Sequence, residues 1–368
     1  MSGVGLGNFQ YAYPKYQAGE DARLFIDYAH NDWAQFLAEG GIIGFCLLVA
    51  GISYYLYRLI KLWKKRRDPF AICLGVAPLA VMTAIGIHSY FDFNLHIPAN
   101  FLMLAAIVAI GYSALHMERH HGREKMLYRY HIIPLRYKGA LVLLLILGFI
   151  TWIGSWTIRH FIAECYCNTV TRYSTLNRDQ NPPLEEIQKA IKWDQGNAVY
   201  WRKMAWELIR IRAREMGDLG VSDEDRDRRQ MEIIRAFEGA ARMNPFFSRH
   251  HLRLGLEYTL LWGKPHYRRR YLPAADIAMQ RAAYFAGEYQ PYLHEGLGDY
   301  WIMRSKTIQL PNPMWHSAWE KAFWHYKEAG VLRGEHELKK MVERIKRHIR
   351  VYYPDETFIQ RAIERITS

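Results

Sequence analysis

Four stretches of the chain are apolar almost without interruption, and each is close to the ~20 residues that cross a bilayer. They cover residues 40–60 (GGIIGFCLLVAGISYYLYRLI), 70–88 (FAICLGVAPLAVMTAIGIH), 98–115 (PANFLMLAAIVAIGYSAL) and 139–158 (GALVLLLILGFITWIGSWTI). An amphipathic helix of a globular protein shows a polar face, and these runs show none. The pattern therefore predicts four membrane-spanning helices rather than buried helices of a soluble protein. Just before the first run, Asn31, Gln35 and Glu39 recur at i, i+4 and i+8, with Trp33, Phe36 and Leu37 on another face. Read as a helix, this places a polar stripe leading down to the bilayer surface.

After residue 159 the period changes. Ala, Trp, Tyr and Leu now recur at steps of three and four between charged positions, which predicts amphipathic helices. The expected fold is all-α: an external loop over 1–39, a four-helix transmembrane region over 40–158, and an external helical domain over 159–368. Three segments in that domain resemble one another. Ala190–Asp194 leads to Tyr200, Trp201 and Ala205; Ala241–Pro245 leads to Leu252 and Gly255; Ala283 and Gly287 precede Gln290–Pro291, Leu293 and Gly296. A small residue closing one helix, a tight turn, and an aromatic and small residue opening the next resembles the tetratricopeptide repeat, in which small residues let paired helices pack closely. The period exceeds the usual ~34 residues, so 214–228 reads as an insertion, and an unrelated helical bundle is the alternative.

Charge settles the expected orientation. Arg58, Lys61, Lys64, Lys65, Arg66 and Arg67 fall between the first two runs, and Arg119, Arg123, Lys125, Arg129, Arg136 and Lys138 between the last two. Short loops rich in Lys and Arg stay cytoplasmic, so residues 1–39, the 88–97 turn and everything after 159 are expected outside. Topology thus accounts for much of the net charge of +13, and with no groove-reading or base-stacking motif present, nucleic acid is excluded as a partner. The mean hydropathy of -0.22 averages an apolar first half against a charged second half. Cys46 and Cys73 lie inside runs and Cys165 and Cys167 are one residue apart, so neither a disulfide nor a metal site is expected. No signal peptide precedes residue 40, which leads us to expect further membrane spans upstream of this sequence.

The candidate chemistry gathers at the external ends of the runs. His30 heads the polar stripe and can exchange a proton near neutral pH, as a general base for a hydroxyl must; alternatively His30, Asn31 and Asp32 only cap the helix. His88–Asn100 joins the second and third runs, with Asp92 expected to pair with His88 or His96 facing a cavity, or to form an ordinary polar turn. Lys264–Tyr271 (KPHYRRRY) reads as a solvated loop, or as a contact for anionic lipid or acidic glycan. Trp193, Trp201, Trp206, Trp315 and Trp319 recur at helical spacing, which favours core positions over sugar-stacking platforms.

These residues carry a resemblance. Gly3-Val4-Gly5-Leu6-Gly7-Asn8-Phe9 with Tyr13-Pro14, then His30-Asn31-Asp32, Glu39-Gly40-Gly41 and Gly44, then His88 through Asn100, resemble the C-terminal half of the O-antigen ligase and polymerase family. The likeness covers residues 3–115. It implies transfer of a glycan from a polyprenyl-diphosphate carrier to an acceptor hydroxyl on the outer face of a bacterial inner membrane, with no cofactor, nucleotide sugar or metal. By resemblance the catalytic set is His30 as base, Arg23 on the diphosphate and Glu39, with Asn31, Gln35, His88, Asp92 and His96 lining the substrate cavity. Guanidinium suits a diphosphate because it offers paired donors and a permanent charge. Tyr28 occupies a position where the family often carries a second histidine, and the family has more spans upstream. The implied partners are membrane lipid, a lipid-linked oligosaccharide, and proteins recruited by the repeat domain. The alternative is a membrane-anchored scaffold whose repeat domain binds protein partners without catalysis.

Overall fold

A computed structural model describes residues 2–17, 26–119, 126–128, 137–176, 183–216, 220–262, 264–287, 290–308, 313–333, 339–340, 342–343, 361 and 364. The chain divides into two compact units, Met1–Gln10 with Ile26–Phe149, and Tyr11–Phe25 with Ile150–Ser368. Among the described residues the regular structure is helical except for one short ribbon. After the single turn α1 (Phe9–Ala12) come α2 (Asp32–Trp63), α3 (Pro69–His88) and α4 (Pro98–Ala114). Strands β1 (Met117–Arg119) and β2 (Met126–Tyr128) pair antiparallel, with Glu118 opposite Leu127. Helix α5 (Tyr137–Leu176) follows, then α6 (Leu184–Trp193), α7 (Ala198–Glu215), α8 (Asp223–Met243), α9 (Ser248–Trp262), α10 (Pro265–Ala286), α11 (Pro291–Ser305) and α12 (Pro313–Arg333).

Three helices, α2, α3 and the part of α5 from Gly139, are long and apolar enough to cross a membrane. The run expected at 98–115 forms α4, whose 17 residues span roughly 25 Å, less than the ~30 Å of a hydrocarbon core. The expected count of four is thus three by length. Leu143, Leu144, Phe149, Trp152 and Trp156 are all exposed, and an outward apolar surface of this extent suggests membrane association. Helix α2 starts earlier than the expected 40 and is broken at Gly41, whose φ of 66° and ψ of -179° leave the helical region. Only glycine takes that conformation without strain. Helix α5 does not end at 158 but continues to Leu176, because Ala163, Cys167 and Val170 find a buried face after the apolar run stops.

In the first unit, helices approach where side chains are small. A Cβ at Gly111 of α4 would overlap Pro78 of α3, and would lie 2.9 Å from the Leu74 carbonyl that a mid-helix proline leaves without its usual partner. Trp33 Nε1 donates to the Gly86 carbonyl at 3.0 Å, and Tyr55 Oη to the Val108 carbonyl at 3.0 Å, tying α2 to α3 and α4.

The second unit is a run of helices in which α7 packs on α8, α8 on α9, α9 on α10 and α11 on α12. Glycines lie at the closest crossings. A Cβ at Gly239 would come within 2.5 Å of Trp201, one at Gly255 within 2.7 Å of Met279, and one at Gly296 within 2.8 Å of Leu252. Tyrosine hydroxyls donate to carboxylates on an earlier helix: Tyr200 past α6 to Glu164 of α5 at 3.0 Å, and, each to the helix just before its own, Tyr258 to Glu238 at 2.8 Å, Tyr300 to Asp276, and Tyr326 to Asp299 at 2.5 Å. Burial pushes the phenol pKa of Tyr258 and Tyr300 up, so these bonds persist across the physiological range. Residues 11–17 also belong here: the Tyr11 ring is 5.0 Å from that of Phe247, and Lys15 Nζ is 3.5 Å from the Tyr284 ring centre.

Two local expectations are corrected. Lys264–Tyr271 is not a loop: Pro265 at the first helical position starts α10, and Tyr271 is buried. Residues 214–228 are not one insertion, since α7 runs to Glu215 and α8 begins at Asp223, where Ser222 Oγ accepts the Asp225 amide at 3.1 Å. The long period is absorbed by long helices. Of the tryptophans, Trp319 is core while Trp193 and Trp206 are exposed; the side chain of Trp315 lies outside the described residues.

Candidate functional site

The N-terminal end of α2 and the connection 88–97 between α3 and α4 form one polar cluster in the first unit. Its centre is Asp32, a buried carboxylate at the first helical position. Asp32 Oδ2 accepts the Ser89 hydroxyl at 2.9 Å and the Leu95 amide at 3.0 Å, while Oδ1 meets His96 Nδ1 at 2.6 Å. The Asp32 amide donates to the Ser89 carbonyl at 2.9 Å. The connection is thus fastened to α2 at both ends of a short loop.

Fastening the connection sets what faces His30. Residue 30 has φ of 48°, the left-handed region, which non-glycine residues enter at a cost and which clusters at functional positions. The chain turns there so that Asn31 can cap α2, its side chain accepting the Ala34 amide at 2.9 Å. The imidazole is carried out to solvent. His30 Nδ1 lies 3.6 Å from Asp92 Oδ1, with 66% and 41% of the two side chains exposed, so a ligand can reach the pair. Phe93 supports the ring edge-on at 5.0 Å, and Tyr28 stacks on Phe93 at 4.7 Å. The carboxylate thus lies on the Nδ1 side of the ring, within ion-pair reach, and the Nδ1 contact leaves Nε2 uninvolved in it.

Gln35 and Glu39 do not line an open stripe. Gln35 is buried, accepts the Ala29 amide at 3.0 Å and donates to Glu39 Oε1 at 3.3 Å. Glu39, also buried, accepts the amides of Gly7 at 2.9 Å and Phe9 at 3.2 Å. Its carboxylate holds the glycine-rich segment in place. Gly5 and Gly7 have φ of 91° and 75°, and a Cβ at Gly3 would overlap the Glu39 carbonyl, which explains glycine at these three positions.

The expected pairing of Asp92 with His88 or His96 is also corrected. His96 is taken by Asp32 and His88 by the Asn94 side chain, leaving Asp92 to His30. Arg23 lies outside the described residues. Asp32, Ser89 and Phe93 were not among the sequence candidates. The signal for Asp32 was an acidic residue one position after a helix cap, facing a loop with two histidines, but an Asp there reads first as helix-dipole compensation. Among the described residues no three His, Cys, Asp or Glu side chains converge as metal ligands would.

No family model matches the chain, and no curated protein matches it.

Proposed function

We propose that the chain belongs to a membrane transferase activity that moves a glycan from a polyprenyl-diphosphate carrier to an acceptor hydroxyl on the outer face of a bacterial inner membrane. The observation that carries this reading is the exposed His30–Asp92 pair held at the mouth of apolar helices by the buried Asp32 clamp. His30 Nε2 takes the proton of the acceptor hydroxyl as its oxygen forms a bond to the anomeric carbon. The bond from that carbon to the carrier's phosphate oxygen breaks, and the polyprenyl diphosphate leaves with the electron pair. Asp92 stabilises the imidazolium that forms, the role a carboxylate plays beside a histidine base. Arg23 is the proposed counter-ion to the leaving diphosphate. Asp32, Glu39, Gln35 and His96 act as positioning residues, fixing the loops on either side of His30. The second unit then lies outside the membrane as a tetratricopeptide-like domain.

The test is His30→Ala in the cell that makes the protein. Surface glycan is expected to disappear while the protein level stays that of the wild type. Normal glycan in that variant rules out His30 as the base.

A further inference from the structure

The second unit contains a groove of about 580 Å³, built entirely from its own helices. Arg202 and Trp206 reach it from α7 and Arg249 and Arg253 from α9, each pair one turn apart and so on one helix face. Three guanidiniums rest over rings. Arg249 is 4.4 Å from the Tyr292 centroid, Arg253 is 4.9 Å from Trp206, and Arg202 is 5.6 Å from Phe247. A guanidinium over a ring keeps N–H donors for a further partner. Among the described residues none of the three makes an ion pair. Buried His250 lies on the wall.

The groove's acidic groups are already engaged. Glu295 pairs with Arg333 at 2.9 Å, and Asp299 accepts the Tyr326 hydroxyl at 2.5 Å. The groove therefore offers cationic forks that make no ion pair among the described residues, and the exposed indole of Trp206. A peptide of acidic residues alone would answer the arginines but has no ring face to lay on the indole. A sugar chain carrying anionic groups answers both features, since its anionic groups meet the guanidiniums and its C–H faces cover the indole.

We infer that this groove binds an acidic saccharide, one whose rings carry carboxylate or phosphate. The inference goes beyond the transfer step and stands whether or not His30 is a base. It is tested by calorimetric titration of the full chain in detergent with oligogalacturonate, an oligomeric phosphomannan, neutral maltohexaose and hexaglutamate. Binding of either acidic saccharide is expected, and which one binds distinguishes carboxylate from phosphate. The affinity falls at least ~10-fold in Arg249→Gln/Arg253→Gln, the loss expected from charge-assisted bonds. Arg253→Lys, at an exposed position that folding does not need, keeps the charge, loses the fork and falls by a smaller factor. The inference is overturned if neither acidic saccharide binds, if maltohexaose or hexaglutamate binds as tightly, or if both variants bind like the wild type.

Discussion

Asp32→Ala removes the centre of the first unit's polar cluster, and its cost can be worked from the contacts. The carboxylate accepts the Ser89 hydroxyl, the Leu95 amide and His96 Nδ1 while buried. Hydrogen bonds to a charged group contribute about 1.5–3 kcal/mol each, but three on one carboxylate are not additive. Breaking a buried charged contact of this kind costs about 3–5 kcal/mol. The loss is local, since the connection 88–97 can detach while the helices persist. At about 1.4 kcal/mol per tenfold, the Leu95 amide should exchange with solvent 10²- to 10³-fold faster. Asp32→Asn keeps one acceptor oxygen for Ser89 and Leu95 and offers an amide N–H to His96, so about tenfold is expected there. Hydrogen-exchange mass spectrometry on the detergent-solubilised chain, following peptides over 89–97, reads both. Unchanged exchange in Asp32→Ala refutes the claim that this carboxylate holds the loop facing His30.

Glu39→Ala leaves the Gly7 and Phe9 amides without their acceptor and should cost about 2–4 kcal/mol locally; limited proteolysis is expected to cut within residues 3–12 of the variant first, and equal cutting in the wild type counts against the assignment. His250 predicts a pH dependence for the second unit. Burial, and secondarily the charge of Arg202, lower its pKa from 6.5 to about 3. Below pH 6.5 the unfolded chain takes up a proton there that the folded chain refuses until about 3, so stability is complete above 6.5 and is lost as pH falls. Between pH 6.5 and 5 the loss from this residue is at most about 2 kcal/mol. His325, lowered to about 3 by burial and secondarily by the neighbouring His294, contributes in the same sense. His250→Phe should therefore flatten, without abolishing, the fall in melting temperature over that window, and an unaltered slope would show that His250 is not buried neutral.

What was legible in the sequence follows from which forces act locally. The apolar runs at 40–60, 70–88 and 139–158 announced their helices because a membrane span is a property of continuous composition. Glycine at 239, 255 and 296 carried no such signal, since each is explained by a side chain on another helix: Trp201, Met279 and Leu252. The break at Gly41 and the turn at His30 were hidden for the same reason, as backbone conformation there depends on what the neighbouring loop requires. The polar residues show this most plainly. Asn31, Gln35 and Glu39 were spaced as a helical stripe, and the spacing was real, yet spacing could not say which would meet a backbone amide. Gly5 and Gly7 come back over α2 and occupy Glu39, so a carboxylate that reads as chemistry serves as an anchor. Asp32, which reads as an ordinary helix-start residue, gathers a hydroxyl, an amide and an imidazole from residues 57 to 64 positions away. A carboxylate buried beneath three donors is closed to a substrate, whereas Asp92 opposite His30 is half exposed and makes few contacts. The pair open to a ligand is therefore the less satisfied of the two acid–histidine pairs in this cluster, and burial, which sequence periodicity does not report at loop positions, is what separates them.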